Sequence, residues 1–167
     1  MTQRQRDRSK ILSADYLVGL TDGEGCFYLN VRPSRSKRNI PTVEFHFYLK
    51  LRMDHFDLLN DVKESFGCGA VYHQTEKRTN HSECYRFEIN SRRDLFGKLL
   101  PFFDSHPLRG PKQKDYLLFR QAAEIVRDKP RLTVQDMTKI EKLKHKMNLG
   151  VRRVWKIRSL GGNAKKH

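Results

Sequence analysis

Hydrophobic and polar positions alternate with period two over several stretches of this chain, and the stretches between them carry helical spacing. Phe27, Leu29 and Val31 alternate with Tyr28, Asn30 and Arg32. From Val43 to Arg52 the alternation is cleaner: Val43, Phe45, Phe47, Leu49 and Leu51 fall on one face, Glu44, His46, Tyr48, Lys50 and Arg52 on the other. In 84–90, Tyr85, Phe87 and Ile89 alternate with Arg86, Glu88 and Asn90, and Ala70–Gln74 supplies a partner strand. Strict alternation predicts strands with one face in a core and one in solvent. The solvent face here is polar, basic and aromatic.

Cap residues and apolar spacing place the helices. Ser13 opens one that runs to about Gly23. Asp54 opens a second, bearing Leu58, Leu59, Val62 and Phe66 and ended by Gly67 in the left-handed conformation. Ser91 with Asp94 caps a third, with Leu95, Leu99 and Leu100, ending before Asp104. Pro111 suits the first turn of a fourth, whose apolar face is Tyr116, Leu117, Phe119, Ala123 and Val126. Lys129–Pro130 breaks it, and Thr133 caps a last helix with Met137, Ile140, Leu143 and Met147, closed by Gly150. The order is α-ββα-ββα-αα, with hairpin–helix occurring twice, which predicts an α+β fold with a mainly antiparallel sheet. We read 13–150 as a single domain between a basic N-terminal arm (1–12) and a basic C-terminal tail (151–167).

Charge adds a partner class. The 167 residues carry 34 Lys+Arg against 19 Asp+Glu, a formal net charge of +15, which attracts polyanions, nucleic acid first among them. A generic basic protein of the ribosomal type has the same balance. At 37% hydrophobic residues the chain is expected to fold, no apolar run reaches membrane-spanning length, and no secretory signal follows the basic start. Cys26, Cys68 and Cys84 are odd in number and unpaired in spacing, which fits a reducing compartment, a bacterial cytoplasm or an organelle. Cys68, His73, His81 and Cys84 lack the close ligand pairs of a zinc site.

One segment departs from this basic background. From Ile11 to Val31 there is no Lys or Arg, and "LVGLTDGEG" (Leu17–Gly25) places Asp22 and Glu24 among glycines. Gly19 and Gly23 are four apart, so they share a helix face, and each costs roughly 1 kcal/mol against Ala. Close approach of a second helix offsets such a cost, and a second copy about a two-fold axis would supply it. That symmetry brings two Glu24 carboxylates together, and paired carboxylates repel unless a cation lies between them. Mg²⁺ suits such oxygen ligands. Taken alone, "TDGEG" is equally a polar turn.

The nine residues resemble the signature of the LAGLIDADG homing endonucleases, matching it at Leu17, Gly19, Leu20, Asp22, Gly23 and Gly25, with Glu24 where the family carries its catalytic acid, more often Asp. The element order is similar to the family's αββαββα fold, and "FFDSHPLRGPKQKDYLLF" (Phe102–Phe119) to its segment following the sheet. A single motif copy implies a homodimer. The resemblance implies an intron-encoded, site-specific endonuclease that hydrolyses phosphodiesters of double-stranded DNA with a divalent cation (Mg²⁺, or Mn²⁺ or Ca²⁺ in its place). An RNA maturase or a non-cleaving DNA-binding relative of the same fold is the alternative.

On this resemblance Glu24 is the catalytic acid and metal ligand, with the Gly23 carbonyl as a further ligand, and Lys112 or Arg109 is the basic residue beside the scissile phosphate. Asp22 is structural. The dimer seam holds Leu17, Gly19, Leu20 and Gly23. The sheet's polar face, Tyr28, Asn30, Arg32, Glu44, His46, Tyr48, Lys50, Arg52, Arg86, Glu88 and Asn90, reads the major groove, where Arg and Lys suit guanine and Asn suits adenine. Arg35, Lys37 and Arg38 in the first loop and Lys77 and Arg78 in the second reach further bases or phosphates, and the tail touches phosphates.

Overall fold

A computed structural model of the chain describes residues 11–32, 41–75 and 83–160, with side chains described as far as Met147. Its elements are α1 (Ala14–Glu24), β1 (Gly25–Arg32), β2 (Thr42–Arg52), α2 (Phe56–Phe66), β3 (Ala70–Gln74), β4 (Cys84–Ile89), α3 (Arg92–Asp94), α4 (Leu100–Ser105), α5 (Lys112–Val126) and α6 (Val134–Leu160). This is the predicted α+β order. Of the described residues, those up to Asn30 together with Glu44–Gln113 form one compact unit, and Val31–Val43 with the chain from Lys114 onward form another.

In the first unit the strands make an antiparallel sheet in the order β1-β2-β4-β3. The two hairpins therefore meet at their second strands, with Phe47 opposite Ile89, Tyr48 opposite Glu88 and Lys50 opposite Arg86 across β2 and β4. On β3, Tyr72 faces Arg86. The inward residues behave as the alternation requires: Phe45, Phe47, Leu49, Phe87 and Ile89 are almost wholly buried. Phe47 lies 5.1 Å from Phe27 and 5.5 Å from Phe103 between ring centroids, and Phe66 stacks on Phe87 at 5.9 Å. These aromatic contacts add specific geometry to the area they bury.

Three helix boundaries differ from the sequence reading. Asp54 does not cap α2. It sits in a 3-10 turn (Met53–His55), and the N-cap position falls to His55, which makes no side-chain cap. The third helix does not stop before Asp104 but continues to Ser105, passing through a π-turn at Leu95–Leu99. Pro101 lacks an N–H for the Gly97 carbonyl and its ring would crowd that carbonyl in a regular helix, and the widened turn accommodates it. Gly150 does not end the last helix, whose backbone runs on to Leu160. An internal Gly costs only about 1 kcal/mol, and the Arg, Lys and Leu residues that follow favour helix. Gly67 does close α2 at φ 61°, and the Lys98 ammonium donates to its carbonyl. Ser13, Ser91 and Thr133 cap as expected, accepting from the amides of Tyr16, Asp94 and Asp136.

In the second unit Tyr116, Phe119, Ala122, Ala123 and Val126 of α5 are buried, as are Met137, Ile140 and Met147 of α6. No described helix is long and apolar enough to cross a membrane.

Candidate functional site

The foot of α1 is held by a reciprocal tie to residues 109–112. Asp22 accepts from the backbone amides of Arg109 (2.9 Å) and Gly110 (3.1 Å), while the Lys112 ammonium donates to the backbone carbonyls of Asp22 (2.9 Å) and Gly23 (3.1 Å). A cation on the last carbonyls of a helix meets the negative end of its dipole. Gly25 begins β1 directly under this foot. A Cβ there would lie 2.6 Å from the Thr21 methyl and 2.8 Å from the Thr21 carbonyl, so only glycine lets the strand leave the helix at that angle.

Asp22 is thus a structural residue, as the sequence suggests. Lys112 reaches the helix end through its side chain, whereas Arg109 is brought there by its main chain. The Gly23 carbonyl accepts from Lys112. Glu24 differs from both of its tied neighbours: it is exposed, and its carboxylate makes no hydrogen bond or ion pair among the described residues. Beside it, a Cβ on Gly19 or Gly23 would meet nothing within 4 Å, so among the described residues this face of α1 is open. Leu20 is half-buried, and Leu17, counted with the seam from sequence, is 3% exposed and belongs to the chain's own core.

No cluster of three or more His, Cys, Asp or Glu that could hold a metal ion occurs among the described residues. The free carboxylate is a hard oxygen donor of the kind Mg²⁺ or Ca²⁺ takes, but it is one donor out of the six or more such ions require. The chain fits a divalent cation only if further oxygens come from elsewhere.

The outward face of the sheet carries a second arrangement that the strands' register creates. Asn30 donates to Glu44 (2.8 Å), and the Glu44 carboxylate lies 3.8 Å from His46 Nε2. His46 Nδ1 is 2.5 Å from Glu88 Oε1. The Tyr72 hydroxyl donates to the other oxygen of Glu88, and Arg86 Nη2 donates to Oε1 at 3.4 Å. The Arg86 guanidinium lies 3.7 Å above the Tyr48 ring. Burial, reinforced by a hydrogen bond with Cys26, pushes the Tyr48 phenol up to about 12, so it stays neutral.

This face brings together Asn30, Glu44, His46, Tyr48, Arg86 and Glu88 as predicted. Tyr28 lies 5.9 Å from the His46 ring, and Arg52 pairs loosely with Asp54 at 3.9 Å beyond the end of the strand. Lys50 faces Arg86, Asn90 is exposed just past β4, and Arg32 ends β1. Arg35, Lys37, Arg38, Lys77 and Arg78 lie outside the described residues. Tyr72 was missed, because β3 is short and its alternation too weak to assign a face, and only its placement opposite Arg86 reveals it.

Comparison with known proteins agrees with the fold and with the motif on α1. The LAGLIDADG endonuclease family matches residues 17–123. A probable intron-encoded endonuclease of Neurospora crassa is 32% identical over 133 residues, which is 80% of this chain and 24% of that protein. Among solved structures, the homing endonuclease I-TnaI superposes with a TM-score of 0.72 at 32% identity, covering 83% of this chain and 90% of that one. I-SmaMI, bound to uncleaved DNA target in the presence of calcium ions, gives a TM-score of 0.72 at 25% identity, covering 85% of this chain and 47% of that one. The chain belongs to the LAGLIDADG endonuclease family. It spans about a quarter of the length of the Neurospora relative.

Proposed function

We propose that the protein is a homodimeric, intron-encoded endonuclease that cuts double-stranded DNA at one long site. The observation that carries the reading is the Glu24 carboxylate, unpaired among the described residues and set at the foot of a helix whose glycine face is open among them. Two copies meeting along Gly19, Leu20 and Gly23 would complete that face and bring two acids together, which accounts for both features at once.

A divalent cation, Mg²⁺ in the first instance, would be held by Glu24 and its symmetry mate with phosphate oxygens and the second lone pair of the Gly23 carbonyl, and it would supply charge neutralisation and an acidified water. The residues of the chain do the rest. Asp22 and Lys112 lock the end of α1, so that Glu24 is presented at a fixed angle and its loss of freedom is met during folding and not during the reaction. Lys112 holds a positive charge beside that acid, where a phosphate approaching Glu24 gains negative charge. Arg109 lies next to it on a main-chain tie that leaves its side chain exposed to reach phosphate. The outward sheet face, from Tyr28 through Arg86, enters the major groove, and the net charge of +15 supplies the sequence-independent attraction. The names of the relatives, which describe intron-encoded and homing endonucleases, support this reading of both substrate and source.

The test is incubation of the purified protein with Mg²⁺ and a duplex spanning the joined exons that flank the intron. A single double-strand cut is expected, with Glu24→Gln lowering its rate at least about a hundredfold while the DNA remains bound. Sedimentation should show two chains per duplex. Absence of a site-specific cut, or a Glu24→Gln protein that cuts like the parent, would overturn the proposal; binding of the intron RNA without a cut would favour the maturase instead.

A further inference from the structure

Glu88 is out of place on a face that meets polyanion. Its side chain is 8% exposed, against 21% for both His46 and Arg86, and each of its oxygens is already engaged. An acid in that position repels phosphate, and with Oε1 taken twice and the side chain 8% exposed it has little left to offer a base. What it does instead is visible in its partners. Oε1 takes His46 and Arg86, and Oε2 takes the Tyr72 hydroxyl, so three residues from three adjacent strands converge on one carboxylate.

The effect falls on Arg86. Its guanidinium carbon lies 3.7 Å over the centre of the Tyr48 ring, its Nη2 is drawn toward Glu88, and its Nε is buried with no hydrogen-bond partner among the described residues. The Nη1–Nη2 edge is what remains to be offered outward, since Nη2 keeps its second hydrogen. A planar fork held by a ring on one side and a carboxylate on the other has lost its rotamer freedom before any ligand arrives, and such a fork matches the O6 and N7 acceptors of guanine.

We propose that Arg86 reads one guanine in each half-site and that Glu88 is the positioning residue that sets this preference, braced by Tyr72 and His46. The inference rests on the endonuclease reading above and deepens it by assigning one specificity-determining side chain.

A randomised duplex library, bound by the full-length protein and sequenced, tests it. The wild type should enrich a two-fold related sequence containing a guanine that Arg86→Ala no longer selects. Glu88→Gln should lose preference at that same base pair, by about tenfold, and keep its preferences elsewhere. Tyr72→Phe, which removes one brace and leaves the charge, should show the same positional loss to a smaller degree and serves if Glu88→Gln folds poorly. Arg86→Ala combined with Glu88→Gln should lose no more than Arg86→Ala alone. Loss spread evenly over all positions, additive losses in the double variant, or unchanged profiles for both Glu88→Gln and Tyr72→Phe would overturn the assignment. A wild type that enriches no sequence overturns the endonuclease reading with it, so the two failures are distinguishable.

Discussion

Asp136 is buried at 5% exposure, yet it is a charged group held in place by its neighbours. It accepts from Lys129 Nζ at 2.5 Å and from the Thr133 hydroxyl at 2.8 Å and amide at 3.0 Å. In return its own amide donates to the Thr133 hydroxyl at 3.1 Å, a reciprocal cap at the start of α6. The Lys129 bond first, then those from Thr133, holds the carboxyl down at about 2, below its ordinary 3.8. A depressed acid contributes stability that is present above the unfolded-state value and lost as pH falls through the folded one. The urea midpoint of the wild type should therefore drop between about pH 4 and pH 2 more steeply than that of Asp136→Asn, and parallel curves would exclude this source. Thr133 as a cap is legible from sequence. The spacing of Asp136 to it, the same as that of Asp94 to Ser91, is legible too; the bond from Lys129 is not, because Lys129 lies in the break before the helix and no local pattern turns it toward Asp136.

At the scale of the element, α1 carries two glycines on an open face, Gly19 and Gly23, and Gly25 follows them at its end for a different reason. Gly25→Ala forces a methyl against Thr21 and is expected to cost about 1–3 kcal/mol of folding stability in any oligomeric state. Gly19→Ala meets nothing among the described residues and should raise monomer helix stability by up to roughly 1 kcal/mol. The same substitution should weaken self-association if two copies of α1 pack there. Chemical denaturation paired with sedimentation separates the two effects, and a Gly19→Ala protein that dimerises as well as the parent removes the glycine face from the seam. The strands β1, β2 and β4 and the helix α1 are legible because their periods are unbroken and their caps are close at hand in sequence. The π-turn at Leu95–Leu99 was not, since it answers a conflict between Pro101 and an otherwise regular helix that spacing alone does not reveal. The continuation of α6 past Gly150 is not legible for a related reason: glycine most often ends a helix, and the Arg and Lys residues beyond it are helix formers as well as charges.

Over the whole molecule, the composition predicts a polyanion partner with a strong salt response. If six or more lysines and arginines displace counterions, affinity for unrelated duplex should fall roughly a thousandfold or more between 50 and 200 mM salt. A flat response would mean that the positive charge faces away from the DNA. Fold class was legible at this scale because hairpin and helix recur in order. The polar network on the sheet was not, because it depends on which strands lie side by side. The order β1-β2-β4-β3 sets Glu88 between Tyr48 and Ala70, and no local pattern in the chain carries that register.

The tie at the foot of α1 also bears on how the molecule is made. Asp22 and its amide partners are 87 and 88 residues apart, and Lys112 reaches back 90 residues to the Asp22 carbonyl. Although α1 precedes the whole sheet in the chain, its lower end is finished late, since its carbonyls wait for a segment synthesised about ninety residues later. Contacts of that sequence separation form only after a costly closure, and they slow folding relative to local ones. A nascent chain that stops short of Arg109 can form α1 but cannot fix Glu24, so the acid proposed for catalysis is set only after both hairpins have been synthesised.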